Sequence, residues 1–344
     1  MRVILATDHF RHCPESEFTR GQLLEPFERP ARVESILRAL EGAGYGPPEP
    51  PRSFGLAPIL RVHDAAYVRF LEAAYPEWAA LGRRSDAVPI AWAIRGLRSD
   101  RVPVSLDGRL SYYSFDGSSP FTAGTWQAVR SSADTALTGA AALASGDARA
   151  VFSLCRPPGH HAAVDYFGGY CYLNNAAIAA QYLIDHGARR VAILDVDYHH
   201  GNGTQSIYYR RSDVLFVSIH ANPAIDYPYF LGYADETGEG AGAGCNLNLP
   251  LDHGADWPRW GAALDTACVA ISKFGADALV VSLGLDTFRG DPISSFALES
   301  ADYLKLGTRI ARLGMPTLLA LEGGYAIAEL GTNVVNVLSG FEAG

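Results

Sequence analysis

The chain is 344 residues long and 48% hydrophobic, with 37 Asp and Glu against 28 Lys and Arg, a net charge of −9. This excludes a disordered chain and is enough sequence to bury a sizeable core. An acidic balance without a basic block argues against a nucleic-acid partner, and no apolar run reaches the roughly 18 residues of a membrane span. The opening Val3-Ile4-Leu5-Ala6 is too short for the apolar core of a secretion signal, so a cytoplasmic location is expected. Cys13, Cys155, Cys171, Cys245 and Cys268 are scattered, odd in number and without a CxxC pair, which speaks against a disulfide framework or a thiolate zinc knot.

In chain order, a strand is expected at Val3–Ala6. A helix follows from Pro30 to Gly44, where Val33, Ile36, Leu37 and Leu40 recur at helical spacing and Gly42 and Gly44 stop the turn. From about Pro76 to Phe121 the pattern loses its period, and Pro, Gly, Ser and charged residues mix with Trp92, Tyr112 and Tyr113. An irregular segment this long points to an interface or a cover over a site, with a surface excursion carrying small helices as the alternative. Helices are expected at Thr125–Ser145, Asn174–His186 and Ser300–Leu313, and strands at Ala150–Leu154, Val191–Val196, Val214–Ile219, Ala278–Leu283 and Thr317–Leu321. Continuous apolar strands alternating with amphipathic helices predict an α/β fold, a mostly parallel sheet with helices on both faces, and residues 1–344 forming one domain.

The chemistry gathers where these strands end. Asp195, Asp197 and His199 follow Val191–Leu194 at i, i+2 and i+4, so extended backbone turns two carboxylates and an imidazole to one side. That much buried negative charge is costly unless a cation neutralises it, and a metal is the simplest explanation. A catalytic zinc commonly takes three protein ligands, and Asp286, just past Ala278–Leu283, is the candidate third, although an Asp there is often only a turn or capping residue. Ala150–Leu154 runs into Cys155-Arg156-Pro157-Pro158-Gly159-His160-His161, whose stiff backbone holds two imidazoles suited to acid–base work. Thr317–Leu321 leads to Glu322-Gly323-Gly324-Tyr325, whose phenol could donate to a developing oxyanion. The glycine-rich stretch Gly238–Gly244 lacks nucleotide-loop spacing, and no GxxxxGK[ST] or GxSxG motif occurs.

Together with Arg61–Leu71 and Gly168–Asn175, these motifs resemble the histone-deacetylase superfamily and, within it, the bacterial acetylpolyamine amidohydrolases, over nearly the whole chain. The resemblance implies the arginase/deacetylase fold and zinc-dependent hydrolysis of an acetyl amide. It places Asp197, His199 and Asp286 on the zinc, one ion per subunit, His161 as general acid–base and Tyr325 as the polariser of the scissile carbonyl. Asp195 would orient His160 and, with the Ser218 hydroxyl, help hold a structural potassium ion. Gly169, Tyr170 and Tyr227 would wall a narrow channel for an alkyl-ammonium chain, with Glu17 and Asp107 as candidate carboxylates for its distal ammonium groups. The 76–121 segment resembles an inserted loop that packs across a homodimer interface and narrows the cleft, favouring slender acetylated polyamines.

Two departures from relatives stand out: Asn202 replaces the Asp behind the second histidine of class I deacetylases, and Ile293 replaces a gatekeeper Glu of a polyamine-selective relative. The first alternative is a deacetylase of protein acetyl-lysine. A ureohydrolase with two manganese ions is the second, against which Gly201 stands where the extra carboxylate belongs, and a non-catalytic binding protein on the same fold is the third.

Overall fold

The computed structural model describes residues 1–19 and 21–344. Strands β1 (Arg2–Ile4), β4 (Ala150–Ser153), β5 (Val191–Asp195), β6 (Val214–Ala221), β7 (Asn246–Leu251), β8 (Ala278–Leu283) and β9 (Thr317–Leu321) form a parallel sheet in the order β1-β4-β9-β8-β5-β6-β7. A separate hairpin pairs β2 (Glu17–Thr19) with β3 (Gln22–Leu24). The helices are α1 (Ala31–Gly42), α2 (Ala65–Ala80), α3 (Leu106–Tyr112), α4 (Thr125–Ala144), α5 (Asn175–Asp185), α6 (Asn202–Tyr208), α7 (Trp257–Phe274), α8 (Ser300–Ala311) and α9 (Ile327–Ala343).

Because side chains alternate along a strand, each strand feeds two cores. Val191 and Ile193 of β5 pack with α2, α4 and α5 on one face, whereas Ala192 and Leu194 pack with α1, α7, α8 and α9 on the other. Both faces are covered, which is why these strands read as unbroken apolar runs. The expected helices and the six expected strands appear with ends shifted by a few residues.

Helices α2, α6, α7 and α9 and the β2–β3 hairpin were not placed from the sequence, and two further features differ from expectation. The edge strand β7 was not predicted: Asn246-Leu247-Asn248-Leu249-Pro250-Leu251 alternates in burial only over its first four residues and carries a proline next to its last residue, which an edge position tolerates. Helix α2 continues through Pro76, so the irregular stretch begins after Ala80 and contains one short helix, α3. No helix among the described residues is long and apolar enough to cross a membrane.

The strand order decides where chemistry can assemble. β4, β9, β8 and β5 are consecutive neighbours, and they precede the histidine pair, Tyr325, Asp286 and the Asp195–His199 run respectively. Parallel strands present all their carboxyl ends at one edge, so segments from four distant parts of the chain open into one crevice.

Candidate metal centre and cleft

Asp197, His199 and Asp286 are buried, with one ligand atom from each lying within 4.8 Å of the others. His199 Nδ1 stands 3.3 Å from Asp197 Oδ1 and 3.0 Å from Asp286 Oδ2. The remaining carboxylate oxygens are held by main chain: Tyr198 N–H donates to Asp286 Oδ1 at 2.8 Å and Gly323 N–H to Asp197 Oδ2 at 2.8 Å. A Cβ on Gly323 would sit 2.5 Å from Asp286 Oδ2 and 2.6 Å from Asp197 Oδ2, so only glycine lets the backbone come this close. Burial and the neighbouring Asp197 charge push the Asp286 carboxyl up to about 7, the signature of two like charges crowded out of water. A divalent cation relieves that repulsion, and two carboxylates with one imidazole form a three-ligand set that zinc accepts.

The histidine pair borders the triad. His160 Nδ1 lies 3.0 Å from Asp195 Oδ2, and burial, which lowers its pKa, is outweighed by Asp197 and Asp195, leaving it raised to about 10. His161 Nδ1 is 2.6 Å from Asn202 Oδ1, an oxygen that can only accept. That bond puts the proton on Nδ1 and leaves the Nε2 lone pair free. Burial, aided by His160 and His199, holds His161 well below the usual histidine value, so it is neutral near pH 7. The loop carrying both histidines is pinned from two sides. Glu322 Oε2 accepts from Gly159 N–H at 2.6 Å and His160 N–H at 3.1 Å, and His63, one residue before the α2 cap Asp64, bridges Ala163 O at 2.7 Å and Asn174 N–H at 2.9 Å. This is the local role of the Arg61–Leu71 motif.

Tyr325 is fixed by residues that the sequence did not single out. Asp291 Oδ2 accepts from Tyr325 N–H at 2.7 Å and Ala326 N–H at 3.3 Å. The Arg32 guanidinium lies 4.8 Å from the Tyr325 ring centroid, donates Nε–H to Gly324 O at 2.7 Å, and also bonds Glu322 O. Arg32 and Arg156 share Glu28 at 3.1 and 2.8 Å in a fully buried triad. Burial would raise the Glu28 carboxyl, but the two guanidiniums outweigh it and hold it below its usual range. Removing one member of a buried ionic cluster typically costs about 3–5 kcal/mol, so Arg32→Met is expected to lower urea-unfolding stability by about that amount. A change under about 1 kcal/mol would contradict the structural weight given to this cluster.

Gly169 and Tyr227 lie against His161, and Tyr170 lies against Tyr325. Gly169 has φ +54, and a Cβ there would fall on the His161 ring and 2.9 Å from Tyr227 Oη. The Tyr227 ring meets His161 edge-on at 5.3 Å and His199 at 5.8 Å, and Tyr170 meets Tyr325 at 5.6 Å. Glu17 reaches the wall through the hairpin, accepting from Tyr170 Oη–H at 2.6 Å, and burial raises its pKa. Asp107 is not brought to the other site residues within the chain: on α3, both its oxygens accept from Arg83 in a half-exposed ion pair. Another carboxylate of the same segment, Asp116, is in the wall. It accepts from Tyr227 Oη–H at 2.7 Å and Gly169 N–H at 3.1 Å. Ser218 faces Asp195 across β5 and β6, with its hydroxyl 2.8 Å from His220 Nδ1. Ile293 is half-buried beside Asp291, whose Oδ1 accepts its N–H at 3.1 Å. The extra carboxylate of a two-manganese ureohydrolase cannot stand at Gly201, because even a Cβ there would overlap the Asp195 carboxylate.

Residues 26–341 match the histone deacetylase domain model. The chain belongs to the histone deacetylase family. Among its relatives, it is 57% identical to acetylpolyamine amidohydrolase 2 of Pseudomonas aeruginosa over 99% of both chains, and 49% identical to the acetylpolyamine amidohydrolase of Mycoplana ramosa over 99% of both. The crystal structure of the acetylpolyamine aminohydrolase from Burkholderia pseudomallei superposes with a TM-score of 0.94 at 42% identity, covering 100% of this chain and 99% of that one. The HDA15 HD domain superposes with a TM-score of 0.81 at 26% identity, covering 98% and 88%. The deacetylase fold expected from the motifs is therefore the fold observed.

Proposed function

We propose that this chain is a zinc-dependent amidohydrolase that removes acetyl groups from small acetylated amines, acetylated polyamines foremost. The observation that carries this reading is the meeting, at four adjacent strand ends, of a buried Asp/His/Asp set, a histidine pair and a phenol, behind a wall of Tyr170 and Tyr227 backed by the carboxylates Glu17 and Asp116. Aromatic faces and carboxylates suit an alkyl-ammonium chain, and the named relatives act on acetylated polyamines.

Asp197, His199 and Asp286 would hold the metal, which supplies Lewis-acid polarisation of the amide carbonyl and a lowered pKa for the attacking water. His161, neutral and presenting Nε2, takes the proton from that water and returns it to the departing amine. Asp195 orients His160, whose retained proton keeps it from competing as the base. The Tyr325 hydroxyl, which burial raises well above 10, keeps its proton and donates to the carbonyl oxygen as charge grows there. A structural potassium ion would sit by Asp195 and Ser218. The exposed apolar side chains of residues 88–104, including Ile90 at 73% and Val104 at 96% exposure, suit burial against a second copy, and a light-scattering mass of one chain would reject that homodimer.

The reading is tested by kcat/KM on N-acetylputrescine, N-acetylcadaverine and an acetyl-lysine peptide with zinc-loaded protein. The small amines should lead. A strong peptide preference would shift the function to protein deacetylation, a reading that the missing gatekeeper carboxylate at Ile293 keeps open. A second expectation concerns Asn202. Asn202→Asp places a negative charge beside His161 Nδ1, which favours the imidazolium and raises its pKa. The base is then lost at higher pH, so the acidic limb of the kcat/KM profile should move upward. An unchanged limb would refute the role given to this pair.

A further inference from the structure

Tyr227 belongs to a long connection between β6 and β7, and loops of this length need an explicit anchor if a wall residue is to keep its place. Asp116 holds only the phenol tip. Beneath the loop lies a polar hub whose carboxylate, Glu236, has no part in the chemistry assigned above. Glu236 Oε2 accepts from Gly232 N–H at 2.9 Å and from Gln205 Nε2 at 2.6 Å. Gln205 Oε1 in turn accepts from Asn246 Nδ2 at 3.0 Å and Asn248 Nδ2 at 2.9 Å, both on β7. The same asparagines reach back to the loop, at Glu236 O (2.7 Å) and Tyr233 O (3.1 Å), and His220 Nε2 on β6 bonds Gly232 O at 2.8 Å. Gly232 is needed at that point, since at φ +110 a Cβ would lie 2.8 Å from the His200 and His220 rings.

We propose that Glu236 and Gln205 form a latch that positions Tyr227 and so sets the affinity of the cleft for the amine half of the substrate. Gln205 lies on α6, the seven-residue helix that opens with Asn202, the partner of His161. The latch therefore ties the amine-binding wall to the same element that holds the acid–base histidine, and registers one against the other. Neither residue touches substrate; both act through the loop. The inference rests on the reading that Tyr227 walls an amine channel, and the test separates the two.

Diamine binding is measured by calorimetry with 1,4-diaminobutane, which carries no acetyl group, and metal-centre binding with acetohydroxamate, which carries no amine chain. In Glu236→Ala, loss of the carboxylate's three bonds, from Gly232 N–H, Gln205 Nε2 and Asn248 Nδ2, should weaken 1,4-diaminobutane about tenfold and raise KM for N-acetyl-1,4-diaminobutane to match, with kcat held within about threefold and acetohydroxamate affinity unchanged. Glu236→Gln, whose single carbonyl oxygen can still accept from both Gly232 and Gln205, should restore diamine binding. If Glu236→Ala does not fold, Glu236→Asp, with its carboxylate drawn one methylene short of Gly232 N–H, provides the same readout. Unchanged diamine binding in the alanine or aspartate variant, failure of glutamine to rescue, or an equal loss of acetohydroxamate would overturn the latch. Parent protein that binds acetohydroxamate but not 1,4-diaminobutane would overturn the amine-channel reading and the latch with it.

Discussion

Asp286→Ala is expected to abolish stable zinc binding and to lower kcat/KM by about three orders of magnitude or more, since a Lewis acid in such a site contributes several kcal/mol to the barrier. The donor set explains the size of the effect. Asp197 and His199 approach from one strand end and Asp286 from its neighbour, so the substitution removes the only ligand that β8 supplies. Two ligands from one short segment do not form the three-ligand arrangement that catalytic zinc uses. The thermal behaviour should separate lost metal from lost fold. Without metal, Asp286 is one of two crowded like charges, pushed up to about 7, so its removal should leave the melting temperature unchanged or raise it. In the parent, zinc at about a thousand times Kd should add about 4 kcal/mol of stability by linkage, and that gain should vanish in the variant. A variant that keeps one zinc per chain by mass spectrometry and most of its activity would remove Asp286 from the metal.

The sheet was readable because its central strands are buried on both faces, which writes them as continuous apolar runs. β7 escaped for the same physical reason in reverse. As the edge strand, with Leu247 and Leu249 only half-buried and Pro250 near its end, it carries no such run. Pro76 stands where the sequence loses its period, but α2 runs on through it to Ala80, with Ala74 and Trp78 buried on either side of it.

The site divides along a similar line. Asp197, His199, Asp286 and Tyr325 lie within four residues of a strand end and His160 and His161 within eight, and parallel topology sends them to one edge. The side chains that hold them in place are legible only after packing. Arg32, four residues after Glu28, looks like an ordinary surface pair on a helix, yet it is fully buried under Tyr325. Asp291 looks like a turn residue before Pro292 and proves to be the clamp on the Tyr325 backbone. Asp107 and Asp116 occupy one irregular segment with nothing in the local pattern to separate them. Packing pairs the first with Arg83 and sets the second against Tyr227 and Gly169.

His161→Ala should cut kcat by about a thousandfold, within the 10²–10⁴ range of a positioned general acid–base, while zinc content and KM stay near parent values. Its neighbour cannot replace it. The rings of His160 and His161 are 4.0 Å apart, but His160 turns its Nδ1 to Asp195 and its Nε2 toward Asp197 at 3.8 Å, and these carboxylates raise its pKa to about 10. With Nδ1 bonded to Asp195 and Nε2 turned toward Asp197, His160 offers no free lone pair to water. His161, bonded to the neutral Asn202 and held low by burial, is the only one of the two that is unprotonated at pH 7. The residual activity of His161→Ala should therefore lose the acidic limb that the parent shows, and added imidazole, small enough for the space left beside Tyr227, should restore part of the rate in proportion to its neutral form. More than a tenth of the parent kcat in the variant, or a retained acidic limb, would move the base elsewhere in the cleft.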